Sequence, residues 1–141
     1  MKINHLRITW GVSRGRDTYG YNICRLDDRA TGKRYRCVGG GYDMIGTVFG
    51  NWLADVYQDR IKALFDSRKH EDCGYSVKGY RKIPDLYGLT LSPSGVAQLY
   101  GACGMSSMQA VAEAIGLEVQ WQGFRSGRTL GSYFIQDTFT D

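Results

Sequence analysis

The spacing of the apolar residues changes after about residue 40, and this change constrains the fold more than any other feature. In the first part, three segments alternate apolar with polar or small residues, namely 5–12, 19–26 and 33–38. Such alternation is typical of half-buried strands. From Met44 to about Ser67 the apolar residues instead recur every three or four positions, as on one face of a helix. The pattern therefore predicts three strands followed by a long helix.

The second and third strands are predicted to form a hairpin around the sequence DDRATG. Folding the chain about residues 30 and 31 places Cys24 opposite Cys37 and Leu26 opposite Tyr35. Because a turn sets the register of the strands it joins, this pairing is defined to within one or two residues.

The long helix is expected to begin after three glycines, with Asp43 as its N-cap. Gly46 and Gly50 follow inside the helix, and each costs about 1 kcal/mol relative to alanine. They are four residues apart and share a face. A close neighbour is therefore expected there, either a strand of the same chain or another subunit.

The sequence predicts a second helix after GACGMSS. Ser106 and Gln109 have the S-x-x-Q spacing of a capping box, and Gly116 suits the position after the last helical turn. Around this helix the sequence predicts an irregular excursion over 67–95 with a short strand near Leu86–Leu91, and strands at 96–100, 117–122 and 132–136.

This order of elements is not the strict alternation of a doubly wound parallel fold. It predicts an α+β protein, with one antiparallel sheet and two main helices packed on one side, forming a single domain over 1–141. No stretch approaches 18 consecutive apolar residues, so no membrane span is expected. The first residues lack the apolar run of a secretory signal, which favours the cytosol.

Positive charge is concentrated at the start of the chain. The net charge is +4, but residues 1–36 contain nine Lys/Arg and three Asp/Glu, which leaves −2 for the rest. This asymmetry favours a local anionic partner, although a solvated basic face explains it as well. The four cysteines have neither C-x-x-C nor zinc-ligand spacing, so no metal site is expected and they are predicted to be reduced, small apolar residues.

Two glycine-rich helix starts are candidate anion sites, because free N–H groups and the helix dipole attract phosphate there. The first contains Tyr42, but Asp43 places a carboxylate where a phosphate would bind. The second follows Tyr100 and has no acidic cap. An ordinary strand-to-helix turn and an ordinary capping box explain the same residues. The second candidate site comprises Tyr100, Gly104, Ser106, Ser107 and Gln109.

Two basic and aromatic clusters complete the candidates. Arg125 and Arg128 lie in a glycine-flanked loop beside Phe124, and arginine binds phosphate and stacks on bases. Arg14 and Arg16 form the second cluster. Either segment also fits a plain surface loop.

Catalytic residues are scarce in the sequence. Its two histidines are His5 and His70, and it has no H-x-x-x-H motif. The segment GVSRG at 11–15 has the G-x-S-x-G spacing, but it joins two predicted strands and does not lead into a helix, as a nucleophile elbow does. The chain is therefore predicted to be a binding protein that needs no cofactor, not an enzyme.

Several motifs together resemble a family of phage proteins, the Thoeris anti-defence proteins of the first described type. They are RDTYGYN, TGKRYRC, GGGYDMIGTVFGNWL, DLYGLTL and GACGMSSMQAVAEAIGL, which span most of the chain. The resemblance implies a non-enzymatic sponge in the host cytoplasm that sequesters the cyclic ADP-ribose isomer made by a TIR-domain defence enzyme. It also implies a homo-oligomer, a dimer or a hexamer built from dimers, with ligand pockets at subunit interfaces, and uptake of cyclic oligonucleotides by some members.

Two other functions stay open. Tyr19, Tyr21 and Tyr35 in the basic first third would make an aromatic sheet face for nucleic acid, as in a small phage regulator or anti-restriction protein. A nucleotide-processing enzyme is the third hypothesis, and it lacks an evident catalytic base.

Overall fold

A computed structural model describes residues 3, 5–13, 21–39, 44–74, 78–119, 128–129 and 132–135, with the backbone alone for 10–13, 21–22, 39, 128–129 and 132–135. In chain order its elements are β1 (Leu6–Ser13), β2 (Tyr21–Asp28), β3 (Arg34–Gly39), α1 (Met44–Val56), α2 (Gln58–Ser67), β4 (Glu71–Asp72), β5 (Arg81–Lys82), β6 (Leu89–Leu91), β7 (Ala97–Leu99), a 3₁₀ turn (Gly101–Cys103), α3 (Met105–Ala114), β8 (Arg128–Thr129) and β9 (Ser132–Ile135).

The fold is α+β, as the sequence predicted, and every strand pair is antiparallel. The larger sheet has the order β3-β2-β1-β9-β8. Its β2–β3 hairpin confirms the predicted register, because Cys24 pairs with Cys37 and Leu26 with Tyr35. The short strands near 86–91, 96–100 and 132–136 are present as β6, β7 and β9.

The described strands form two sheets, whereas one was predicted. The excursion over 67–95 contains β4, β5 and β6, which join β7 in a sheet of order β4-β5-β6-β7. The prediction of a strand at 117–122 is wrong for residues 117–119, the part that the structure describes. Glu118 makes an isolated bridge, in which its carbonyl accepts from the Ile3 N–H at 3.2 Å.

The predicted long helix is two helices, so the described chain has three helices in place of two. It ends at Ser67 as predicted but is interrupted at Tyr57, whose φ of −117° and ψ of 30° are not helical. The next residue, Gln58, is held by β7: its side-chain amide donates to the Ala97 carbonyl at 2.6 Å and accepts from the Ala97 N–H at 3.0 Å. This pairing across 39 positions fixes where α2 begins. None of the described helices is long and apolar enough to span a membrane.

The core lies between the inner face of the larger sheet and α1. Leu6, Ile8, Cys24 and Leu26 point inward from the strands and are fully buried. From the helices, the largest buried side chains are Trp52, Phe49, Phe65, Leu53, Ile61 and Met108.

Gly46 and Gly50 face the start of α3 within the same chain. A Cβ at Gly46 would lie 2.6 Å from the Gly101 carbonyl oxygen, and one at Gly50 would lie 2.9 Å from the Met108 Sδ. A Cβ at Gly101 would in turn lie 2.2 Å from the Thr47 Cα. The neighbours of this face therefore belong to the same chain: the backbone before α3 at Gly46, and at Gly50 the side chain of Met108 together with β7, whose Leu99 Cβ would lie 3.4 Å from the added Cβ.

Candidate functional site

The start of α3 is built by a turn and a glycine. The 3₁₀ turn closes through a hydrogen bond from the Gly104 N–H to the Gly101 carbonyl at 2.9 Å. Gly104 then adopts a φ of +97°, which favours glycine, and acts as the N-cap. The predicted capping box is therefore wrong. Ser106 lies inside the helix at its second position, and Gln109 instead donates to Glu113 Oε1 at 3.3 Å and the Val119 carbonyl at 3.4 Å.

This arrangement leaves the α3 N-terminus without a side-chain cap. The N–H groups of the first helical turn carry the positive end of the helix dipole. Ser107 turns back, and its hydroxyl donates to the Cys103 carbonyl at 3.1 Å. Ser106 is exposed beside it. Backbone donors and one free hydroxyl thus suit an anion at this end.

An open cleft of about 410 Å³ lies between α1 and the β6–β7 hairpin. Its wall from α1 is Asn51 and Ala54, its wall from β6 is Thr90, and residues 97–100 complete it. Thr90 and Gln98 are cross-strand partners, so their side chains leave the same face of the hairpin. The lining combines polar and apolar residues and includes no charged side chain, which suits a neutral group with donors and acceptors such as a nucleobase.

Tyr100 connects the cleft to the α3 start. Its side chain is 68% exposed, and its N–H donates to the Gly88 carbonyl at 2.7 Å. Its own carbonyl accepts from the Cys103 N–H at 3.1 Å, which joins it to the 3₁₀ turn. An exposed tyrosine ring on a fixed backbone is a stacking surface for an aromatic ligand.

Sequence reasoning missed three of the polar lining residues, Asn51, Thr90 and Gln98. A single asparagine on a helix and two short-strand residues give no local signal of a site. Tyr87 was also missed and is 72% exposed, but it does not line the cleft.

The structure places five of the predicted site residues in one segment, Tyr100, Gly104, Ser106, Ser107 and Gln109, and turns the last of these away toward Glu113 and Val119. Arg128 begins β8, at one end of the larger sheet's strand order, and its backbone alone is described. The remaining predictions lie outside the described residues; they are Arg14, Arg16, Tyr42, Phe124 and Arg125.

Asp28 is the carboxylate with the most hydrogen bonds among the described residues. It is 2% exposed, and it accepts from Trp52 Nε1 at 2.9 Å and from the Ala30 and Thr31 N–H groups at 2.9 and 3.3 Å. Burial raises its pKa, but these hydrogen bonds and the nearby His5 outweigh burial and lower it below the ordinary value. Because its oxygens hold the hairpin turn and α1, its role is structural.

Tyr35 and Lys33 both bind Asp55 on α1. The Tyr35 hydroxyl donates to this carboxylate, and Lys33 Nζ lies 3.3 Å from it. Burial first, and the hydrogen bond to Asp55 second, raise the pKa of Tyr35. The same two donors lower the pKa of Asp55. Tyr35 therefore faces the helix and is not part of an outward aromatic sheet face.

The four cysteines form no disulfide. Burial, followed by the neighbouring Cys37, raises the pKa of Cys24 to about 12, so this thiol stays protonated and unreactive near neutral pH. Within the described ranges, no three His, Cys, Asp or Glu side chains come together as a metal site.

No known protein family, no curated protein and no solved structure matches this chain. The site itself therefore defines a class by its chemistry: a cleft without charged lining residues, whose exposed tyrosine directly precedes the turn that leads to a helix N-terminus without a side-chain cap.

Proposed function

We propose that this protein is a non-enzymatic binder that sequesters a cyclic nucleotide signal. The observation that carries the proposal is the exposed Tyr100, which lines the cleft and directly precedes the turn that leads into α3. A cyclic nucleotide presents a base and phosphates on one compact frame. The tyrosine ring and the amides of Asn51 and Gln98 suit the base, and the N–H groups of the first α3 turn suit a phosphate.

The sequence resemblance to the Thoeris anti-defence proteins supports the same class of ligand. On that basis the signal is the cyclic ADP-ribose isomer of a TIR-domain enzyme, and cyclic oligonucleotides are further candidates. The proposed setting is the host cytoplasm, where depletion of the signal leaves the defence effector inactive. A homo-oligomer with sites at its subunit contacts is part of this proposal.

The test is an incubation of protein with the cyclic ADP-ribose isomer, followed by chromatography of the free nucleotide before and after heating. A sponge depletes the signal and returns it intact when the protein denatures. Release of a modified nucleotide indicates an enzyme, and an undiminished free signal contradicts the proposal.

The role of the cleft is tested by Tyr100→Ala, with Tyr87→Ala as the matched control. Both tyrosines are mostly exposed, so neither change removes core packing. A lost base stack is worth about 1–3 kcal/mol, which predicts a roughly 5- to 150-fold weaker Kd for Tyr100→Ala alone. Equal Kd values for the two variants would place the ligand elsewhere.

A further inference from the structure

Arginines cluster on the outer face of the larger sheet, opposite α1. Leu6 and Ile8 of β1 and Cys24, Leu26 and Asp28 of β2 are buried. Because side chains alternate along a strand, their neighbours Arg7, Thr9, Ile23, Arg25 and Asp27 face outward. Pairing aligns the outward residues in two cross-strand rows. The first row is Arg7, Asp27 and Arg34, and the second is Thr9, Arg25 and Arg36.

The described charges on these rows are four arginines and one aspartate. Arg25 and Arg34 are 41% and 60% exposed, and Arg7 and Arg36 are exposed as well. Rows two residues apart lie about 7 Å apart and strands about 4.8 Å apart, so the four cations share a patch about 10 Å across. We call this the arginine face.

Asp27 holds two of these arginines in place. The Nε of Arg34 donates to Asp27 Oδ1 at 2.7 Å, and the Nε of Arg25 donates to Asp27 Oδ2 at 3.1 Å. Both contacts use Nε and leave the two terminal nitrogens of each guanidinium for another acceptor. One carboxylate thus orients two guanidinium groups, and the described charges of the face sum to +3.

Arg25 and Arg36 stand directly opposite each other. Like charges in this position destabilise a sheet. An anionic partner that contacts both would offset the repulsion.

From this placement, we propose that the arginine face binds the phosphate backbone of duplex DNA without sequence preference. Arginine forms bidentate contacts with phosphate, and a duplex carries one charge per about 1.7 Å of axis, so several phosphates face the patch. A single strand carries one charge per about 3.4 Å, half the axial density of the duplex, so it offers fewer phosphates to a patch of this size. An interface with an acidic protein would need an apolar centre. The described apolar side chains of this face are Ile23 and Val38, which pair with each other beyond the arginine rows and not at their centre.

This surface is separate from the cleft, because it lies on the other side of the sheet from α1. Duplex binding is therefore expected to persist when the cyclic nucleotide is saturating, and it stands or falls independently of the proposed sponge function.

The experiment is fluorescence anisotropy with a labelled 20-base-pair duplex of mixed sequence, titrated at several salt concentrations. With a net of about three neutralised phosphates, log Kobs is expected to fall against log salt with a slope of about −3. The double variant Arg25→Gln/Arg36→Gln should weaken binding at 50 mM salt at least tenfold and flatten the slope by about 2. Arg36→Gln alone breaks no hydrogen bond of the described residues. It should raise the Kd for the duplex about three- to fivefold, as expected when one arginine–phosphate contact is lost.

The matched control is Lys62→Gln/Lys69→Gln, which removes the same charge from exposed positions on and just after α2. It should bind within about twofold of the parent, and circular dichroism verifies the fold of each variant. Parent-like binding by the arginine variants, an equal loss in the control, equal binding of a 20-nucleotide single strand, or equal competition by a 20-residue polyglutamate would each overturn the proposal.

Discussion

Alanine at Gly46 should destabilise the fold and alanine at Gly50 should not, although both glycines lie on the same face of α1. Inside a helix, replacing glycine by alanine is worth about 1 kcal/mol in favour of the folded state. At Gly46 this gain is opposed by backbone: the new Cβ would lie 2.6 Å from the Gly101 carbonyl oxygen and 2.9 Å from the Gly104 carbonyl carbon. That segment is closed by its own hydrogen bond and cannot yield locally.

Overpacking of this kind costs about 1–3 kcal/mol, and an immobile backbone places Gly46→Ala at the upper end. The net loss is therefore about 2 kcal/mol of unfolding free energy. At Gly50 the nearest atom is Met108 Sδ at 2.9 Å, near the end of a flexible side chain that can rotate away. Gly50→Ala should therefore leave stability unchanged or raise it by up to about 1 kcal/mol.

Urea unfolding followed by tryptophan fluorescence measures both variants. With an m-value of about 2 kcal/mol per M, the midpoint of Gly46→Ala should fall by about 1 M, and that of Gly50→Ala should stay level or rise. A Gly46→Ala midpoint at or above that of the parent would refute the backbone contact between α1 and the α3 start. Equal losses in both variants would show that the distinction between backbone and side-chain neighbours is mistaken.

Three further outcomes are expected. Arg125→Ala and Arg128→Ala should each weaken binding of the cyclic nucleotide by about one to two orders of magnitude, because a charge-assisted phosphate contact is worth roughly 1.5–3 kcal/mol. If the Kd of both variants, measured by calorimetry, stays within about threefold of the parent value, the phosphate contacts lie elsewhere. Trp52→Phe leaves an oxygen of the buried Asp28 without its donor and should cost about 1–3 kcal/mol in urea unfolding at pH 7. The pKa of Asp28 is lowered in the folded state, so its contribution to the free energy of unfolding is present above the unfolded pKa of about 3.9 and is lost as pH falls through the folded pKa. The cost of Trp52→Phe should therefore shrink at pH 3. A cost that stays constant with pH contradicts an ionised Asp28. Cys103→Ser should bind the cyclic nucleotide as the parent does, and a loss of binding with an unchanged melting temperature would give this thiol a role in the site.

Features that depend on near neighbours in the chain were predictable from the sequence. The β2–β3 register was predicted correctly because a short turn sets it and the two-residue period rejects a slip of one. The end of α3 was predictable for the same reason. Gly116 adopts a φ of +88°, its N–H donates to the Glu113 carbonyl, and the Leu117 N–H donates to that of Ala112, which is a Schellman cap contained within six residues.

Features that depend on distant partners were decided by the tertiary structure. The break at Tyr57 follows from Gln58 binding Ala97, and no local pattern reports a partner 39 positions away. Ser106 and Gln109 have the spacing of a capping box, but α1 holds the preceding glycines so closely that the helix begins at Met105 instead. The cleft and the arginine face likewise join residues from separate strands and helices. A chain encodes spacing along its own length, whereas a binding surface depends on distances across the fold, which the packing of the core sets.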